Sequence, residues 1–235
     1  MLIFLDLETT GLEDIDKICA VGIIAVDDAK MIVKYDLVNE AKKISSKASS
    51  VNHITNEMLK QKPKLKDSDA YKFLEEHNHE DSIIVAHNAK FGIKMLELGG
   101  FIWHGKAIDT LRTTKHLIPE CEYFSLQFLR YELKLYRDES RETALFENNI
   151  LERKALHDAL ITKLLYKYLL EIEPQNRLLE LSEKKVLMQK FGFGKYADKH
   201  IEEISMYDRA YLEWMLCNIA ELDEDLRYTI EYYLD

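Results

Sequence analysis

A chain of 235 residues that is 47% hydrophobic is long enough for one large domain, or for a medium domain with a small companion. Its formal net charge of −10 excludes a general attraction to nucleic acid or anionic membrane, so any nucleic-acid contact must rest on a local basic patch or on metal ions. Cys19, Cys121 and Cys217 are far apart, odd in number and form no C-x-x-C pair, which argues against a disulfide framework or zinc site and for thiols in a reducing compartment.

The first forty residues read as three strands. Residues 2–7 are mostly Leu, Ile and Phe; Asp6 and Glu8 interrupt the apolar run and no cationic segment leads it, so it is not a secretory signal. Residues 18–26 are nearly all apolar and rich in β-branched residues, yet far too few to span a bilayer. Residues 31–38 follow the turn-like Asp27-Asp28. A fourth strand is expected at 82–86 ("SIIVA") and a short fifth at 107–110. Helical spacing marks 69–79, 88–98, 110–117 and 126–133. It is clearest over 152–170, where Ala155, Leu156, Ala159, Leu160, Lys163 and Leu164 recur at i, i+3, i+4. Three neighbouring strands followed by strand–helix alternation predict an α/β domain with a mixed sheet. Glu173-Pro174 closes the last helix and sets the expected boundary, giving domains at 1–174 and 175–235. Beyond it, "FGFGKYADKHIEEI" (191–204) suggests a hairpin or strand–turn unit. An aromatic helix over 207–216 would have Asp208 as N-cap, and an acidic amphipathic helix would cover 222–234. The expected protein is soluble and cytoplasmic, with no membrane partner.

The strongest chemical signal is "FLDLETTGLE" (4–13). Asp6 and Glu8, two apart on a strand, project from one face. Carboxylates this close raise one another's pKa unless a cation lies between them, and a hard divalent ion such as Mg²⁺ suits such a pair. Thr9, Thr10 and Gly11 add hydroxyls, backbone N–H groups and a flexible turn.

This string resembles the first motif of the DEDD-type 3′→5′ exonucleases, whose fold is ribonuclease H-like. The resemblance runs in order through "VNHITNEML" (51–59), like the family's H-x-I-T loop near the substrate 3′ end, and "VAHNAKFGIKML" (85–96), like its second motif. It continues through "AIDTLRTTKHLIP" (107–119), "SLQFLRYELKL" (125–135) and "RKALHDALIT" (153–162), the last resembling the third motif. The C-terminal "FGFGKY…YLEWML" is similar to the small α+β module of exonuclease X-like proteins. The resemblance implies a mixed five-stranded sheet flanked by helices and two-metal phosphodiester hydrolysis with Mg²⁺ or Mn²⁺. It implies Asp6, Glu8 and Asp158 as metal ligands and catalytic carboxylates. Thr9, Thr10, His53 and Asn88 are then the nucleic-acid contacts, and a single-stranded 3′ end of DNA or RNA is the partner.

Two positions depart from the pattern. The second Asp of the family falls on Gly92, which also weakens a helix by about 1 kcal/mol relative to Ala. The general-base His of the DEDDh branch falls on Arg153, and the Tyr of the sister branch on Lys154. Arginine, with a pKa above about 12, takes up no proton from water. His157 adjoins Asp158, but neighbours on a helix point about 100° apart. His87 is expected to support packing or substrate, and Glu97 to be solvated. Because guanidinium pairs bidentately with carboxylates, Arg153 is expected to turn its charge toward Asp6, Glu8 and Asp158 and partly replace the metal, leaving metal binding weak or absent. Lys60, Lys62, Lys64 and Lys66 form a local basic run that suits a phosphate backbone, and Lys184, Lys185, Lys190, Lys195 and Lys199 give the C-terminal module a basic lean. Three functions stay open: a degenerate or weak exonuclease that binds 3′ ends, an active exonuclease with unconventional ligands, or a non-catalytic scaffold, with a homodimer among its forms.

Overall fold

The computed structural model describes residues 1–27, 30–143 and 153–235; Asp28 of the expected turn and Glu152, the expected first residue of the long helix, lie outside them. The sheet follows from the burial pattern of its strands. β2 (Ile18–Asp27) is buried on both faces over its first eight residues and takes the place between β1 (Leu2–Thr9) and β3 (Lys30–Leu37), antiparallel to both. The short apolar strands β4 (Ile83–Ala86) and β5 (Lys106–Asp109) continue the sheet in parallel on the other side of β1, giving the order β3-β2-β1-β4-β5. This is the mixed five-stranded sheet the sequence predicts.

Two compact units emerge: Met1–Thr113 with Glu122–Ser182, and Thr114–Cys121 with Glu183–Asp235. In the first, period-2 alternation divides β1 between two layers. Ile3 and Leu5 join a core with Phe73 and Leu74 of α3 (Asp69–Glu76) and Met95 and Leu96 of α4 (Ala89–Leu98). Phe4 faces the other way, its ring 5.5 Å from that of Tyr166 on α8 (Lys154–Leu170). α8 is buried nearly all round, as expected of a helix packed across β1 and β2. The short helices α1 (Ser46–Asn52) and α2 (Asn56–Leu59) are capped by the side chains of Ser45 and Thr55. α6 (Leu126–Glu132) and α7 (Tyr136–Thr143) pack on α8. α5 (Thr110–Leu117) begins in the first unit and ends in the second. After Pro174 the first unit continues into α9 (Gln175–Glu183), where the Ser182 hydroxyl accepts the Asp109 N–H at 2.9 Å.

The second unit closes Phe191, Ile201, Ile204, Leu212, Met215, Leu226 and Ile230 between α10 (Ile201–Tyr207), α11 (Arg209–Asn218) and α12 (Glu224–Leu234). Where a hairpin is expected, isolated bridges Lys190–His200 and Phe191–Ala197 surround a single 3₁₀ turn, Gly194–Tyr196. Asp208 is the N-cap residue of α11, as expected, but its side chain gives no cap hydrogen bond: the carboxylate takes Lys195 at 2.9 Å and the Tyr196 hydroxyl. Asp223 supplies the side-chain cap of α12. Cys19 is buried, which with the nearby Glu8 charge pushes its thiol up to about 12 and keeps it protonated. No helix among the described residues is long and apolar enough to cross a membrane.

Candidate active site at the end of β1

Phe4, Asp6 and Glu8 lie on the α8 face of β1 by alternation, so the two carboxylates emerge beneath the start of that helix. Their neighbour on β2 makes the approach close. Gly22 pairs with Asp6, and a Cβ there would sit 2.3 Å from the Ala155 carbonyl carbon and 2.4 Å from the Leu156 nitrogen. The first turn of α8 thus rests directly on the strand. It brings Asp158 to the pair, so that one oxygen from each of Asp6, Glu8 and Asp158 lies within 4.8 Å of the others. Glu8 and Asp158 are only 7% and 5% exposed, and buried charges of one sign require a counter-charge or hydrogen bonds.

Lys154 supplies the counter-charge. Its Nζ donates to Glu8 Oε1 and to Asp158 Oδ2, both at 2.7 Å. The second oxygen of Asp158 accepts from the Gln127 amide at 2.7 Å. Desolvation, followed by the charges of Asp158 and Glu8, pushes the Asp6 carboxyl well above its ordinary range, with Lys154 opposing. Burial likewise raises Glu8 against the pull of Lys154. Burial disfavours the Lys154 ammonium, but its two carboxylate partners outweigh that and hold the amine above its usual value.

The expected role of Arg153 is therefore corrected. Its guanidinium stacks on Tyr35 of β3, 5.3 Å from the ring centroid. Residue 153 is the N-cap of α8, with non-helical φ −111° and ψ 80°, whereas residue 154 precedes Asp158 by four and shares its helix face. That i, i+4 spacing was the signal in the sequence for Lys154; Gln127 and Glu139 carry no comparable one.

The other expected residues are distributed as follows. Asn52 takes the His position of the family's H-x-I-T loop, which reads N-H-I-T here (52–55); it donates its amide to the Thr9 carbonyl at 3.1 Å and so docks the end of α1 onto the end of β1. His53 follows in the left-handed region (φ 59°) and is exposed. The Thr9 hydroxyl donates to the Gly11 carbonyl, and the buried Thr10 hydroxyl donates to Asp16 at 2.8 Å, so both hydroxyls are engaged within the chain. Asn88 is exposed at the start of α4 with φ 70°, its backbone N–H held by Asp109 at 3.1 Å. Gly92 sits in open space: a Cβ there would meet only the Leu7 Cδ1, at 3.9 Å. The ring of His157 is turned to Glu139 (3.0 Å), which also takes Arg130 through both carboxylate oxygens. His87 lies between the Thr110 hydroxyl (3.0 Å) and the Phe124 carbonyl (2.8 Å), a structural position, and Glu97 is exposed.

The donor set can be tested against a two-ion centre. Three carboxylate arms converge, but position 92 offers none and an ammonium already bridges two of the three. Two divalent ions about 4 Å apart need more negative ligands than this set provides. The residues present do not fit a two-ion centre.

Comparison with known proteins agrees with this architecture. The sequence profile of the family described as "Exonuclease" matches residues 3–166, and that described as "Exodeoxyribonuclease X-like C-terminal" matches 191–220. Exodeoxyribonuclease 10 of Escherichia coli (strain K12) is 27% identical over 239 residues, spanning 100% of this chain and 99% of that protein. The PolC-type DNA polymerase III of Thermotoga maritima is 30% identical over 194 residues, 79% of this chain but 13% of the polymerase. Among solved structures, exonuclease X in complex with 5′ overhanging duplex DNA superposes with a TM-score of 0.60 at 24% identity, covering 77% of this chain and 99% of that one. E. coli exonuclease I in complex with an oligonucleotide gives 0.52 at 17% identity, over 76% of this chain and 42% of that one. The chain belongs to the exonuclease family, with an exodeoxyribonuclease X-like segment following the nuclease fold.

Proposed function

We propose that this chain binds nucleic-acid 3′ ends at the carboxylate cluster at the end of β1 and hydrolyses them weakly or not at all. What carries this reading is that, among the described residues, no side chain able to take a proton stands at the family's proton-acceptor positions, which are Arg153 and Lys154. Arg153 lies on Tyr35 and His157 on Glu139, so neither side chain is available to a water at Asp6, Glu8 and Asp158. A positioned general base contributes about 10²–10⁴-fold to such a reaction. Binding there is supported by the docked N-H-I-T segment (52–55), the exposed His53 and Asn88, and the exposed Lys60, Lys62, Lys64 and Lys66. The DNA in the exonuclease X and exonuclease I complexes supports nucleic acid as the ligand. In this reading 1–174 is the exonuclease-like domain and 175–235 the C-terminal module, and the protein works in the cytoplasm, in keeping with its free thiols.

The test is incubation with a 5′-labelled single-stranded oligonucleotide and Mg²⁺ or Mn²⁺ beside an Asp6→Ala control. A gel shift with no more than traces of shortening is expected. Rapid stepwise shortening that vanishes in the control would instead establish an active exonuclease with unconventional ligands. Absence of both shift and shortening would leave a protein-contact scaffold.

A further inference from the structure

We propose that Lys154 is the resident cation of this site: its ammonium takes the place of a divalent ion, so the chain holds a 3′ end without metal. Three observations converge. The ammonium contacts two acids from different elements, Glu8 of β1 and Asp158 of α8, each at 2.7 Å, as a bridging metal would. The remaining oxygen of Asp158 accepts from Gln127, so both oxygens of this carboxylate are already engaged by side chains of the chain itself. The position where the family has a further carboxylate is Gly92, so the negative charge to be balanced is smaller by one. An ammonium carries one charge and three donors on a flexible stem, which suits two carboxylates and leaves one N–H for a phosphate oxygen. A divalent ion entering here must displace Lys154 from both partners.

The proposal rests on the 3′-end reading for its ligand but not for its cation, and the experiment separates the two. Full-length protein freed of metal with a chelator is titrated calorimetrically with Mn²⁺ alone, beside Lys154→Ala. The variant is expected to bind Mn²⁺ at least about tenfold more tightly than the parent, the step a competing internal cation imposes when it is removed. Equal affinities would overturn the proposal. Should Lys154→Ala not fold, Mn²⁺ paramagnetic resonance of the parent decides. A retained free-ion signal at stoichiometric protein supports the proposal, and quenching of that signal overturns it. In a second arm, anisotropy of a 5′-labelled oligonucleotide is measured in chelator and in Mn²⁺. Equal binding in both supports the proposal, and binding only with Mn²⁺ overturns it. No binding in either condition refutes the 3′-end reading, and the Mn²⁺ titration, which uses no nucleic acid, still judges Lys154.

Discussion

Gly22→Ala is a one-carbon change expected to disturb the fold and the site together. The added Cβ would lie 2.3 Å from the Ala155 carbonyl carbon and 2.4 Å from both the Ala155 oxygen and the Leu156 nitrogen. Ordinary carbon contacts lie at about 3.5–4.0 Å, so the first turn of α8 must retreat by about 1 Å; the obstructing atoms are backbone and cannot swing aside. Overpacking of this kind costs about 1–3 kcal/mol. The same retreat would stretch the 2.7 Å Lys154–Glu8 bond beyond hydrogen-bonding length. Ala gains about 0.5–1 kcal/mol over Gly within a strand, which offsets only part of this. With the lost charge-assisted hydrogen bond adding about 1.5–3 kcal/mol, the expected net loss is about 1.5–5.5 kcal/mol in urea unfolding, a Tm lower by roughly 3–22 °C for a domain of this size. Gly92→Ala is the matched control. Nothing but Leu7 Cδ1 approaches that Cβ, and the helix gains up to about 1 kcal/mol, so the same substitution should there stabilise. Effects of equal sign at the two positions, or a loss below about 1 kcal/mol at Gly22, would refute the close-approach argument.

Three further outcomes are expected. Asp6 and Glu8 have raised folded-state pKa values, so the folded chain binds more protons there than the unfolded one; the stability tied to them is present at low pH and falls as pH rises through those raised values. Lys154→Met removes the group that opposes both shifts and should lose more stability at pH 8 than at pH 5 in paired thermal melts, whereas a pH-independent loss would contradict the assignment. Glu139→Ala takes the shared carboxylate from Arg130 and His157 and should cost about 1.5–3 kcal/mol by urea unfolding, and a loss under about 1 kcal/mol would show that this cluster contributes little. Arg153→Ala gives up a stacking contact with Tyr35 worth about 0.5–1 kcal/mol; a larger loss in the same melts would mean that Arg153 has a second partner.

Much of this was legible in the sequence, and the misses have physical causes. Period-2 alternation in β1 correctly put Asp6 and Glu8 on one face, and the family resemblance pointed to Asp158 within the long helix, where it is buried. The sequence does not show α1, α2 and α7 because SKASSVN and YRDESRET hold too few apolar residues, and Asn56–Leu59 too few turns, for apolar periodicity to emerge; caps such as Ser45 and Thr55 define α1 and α2 instead. Asp208 has the chemistry of an N-cap, but Lys195 and Tyr196 engage its carboxylate, partners that only tertiary structure supplies. Comparison with the family pattern drew attention to residue 153, while helix geometry favours residue 154. Gly22 lies in an apolar strand where nothing in the sequence marks it as the contact point of a helix.

By local rules α8 starts poorly. Its N-cap, Arg153, gives no side-chain hydrogen bond, its first residue is a lysine set against the positive end of the helix dipole, and its first turn contains no acidic residue. What fixes that turn lies outside it: Glu8 through Lys154, and the bare backbone of Gly22 beneath Ala155. Fraying of the helix and release of the lysine are therefore a single local opening. Backbone amide exchange at His157 and Asp158, the first N–H groups bonded back along the helix, becomes a reporter of the site, slow while Lys154 holds its two acids and faster whenever another cation takes them from it.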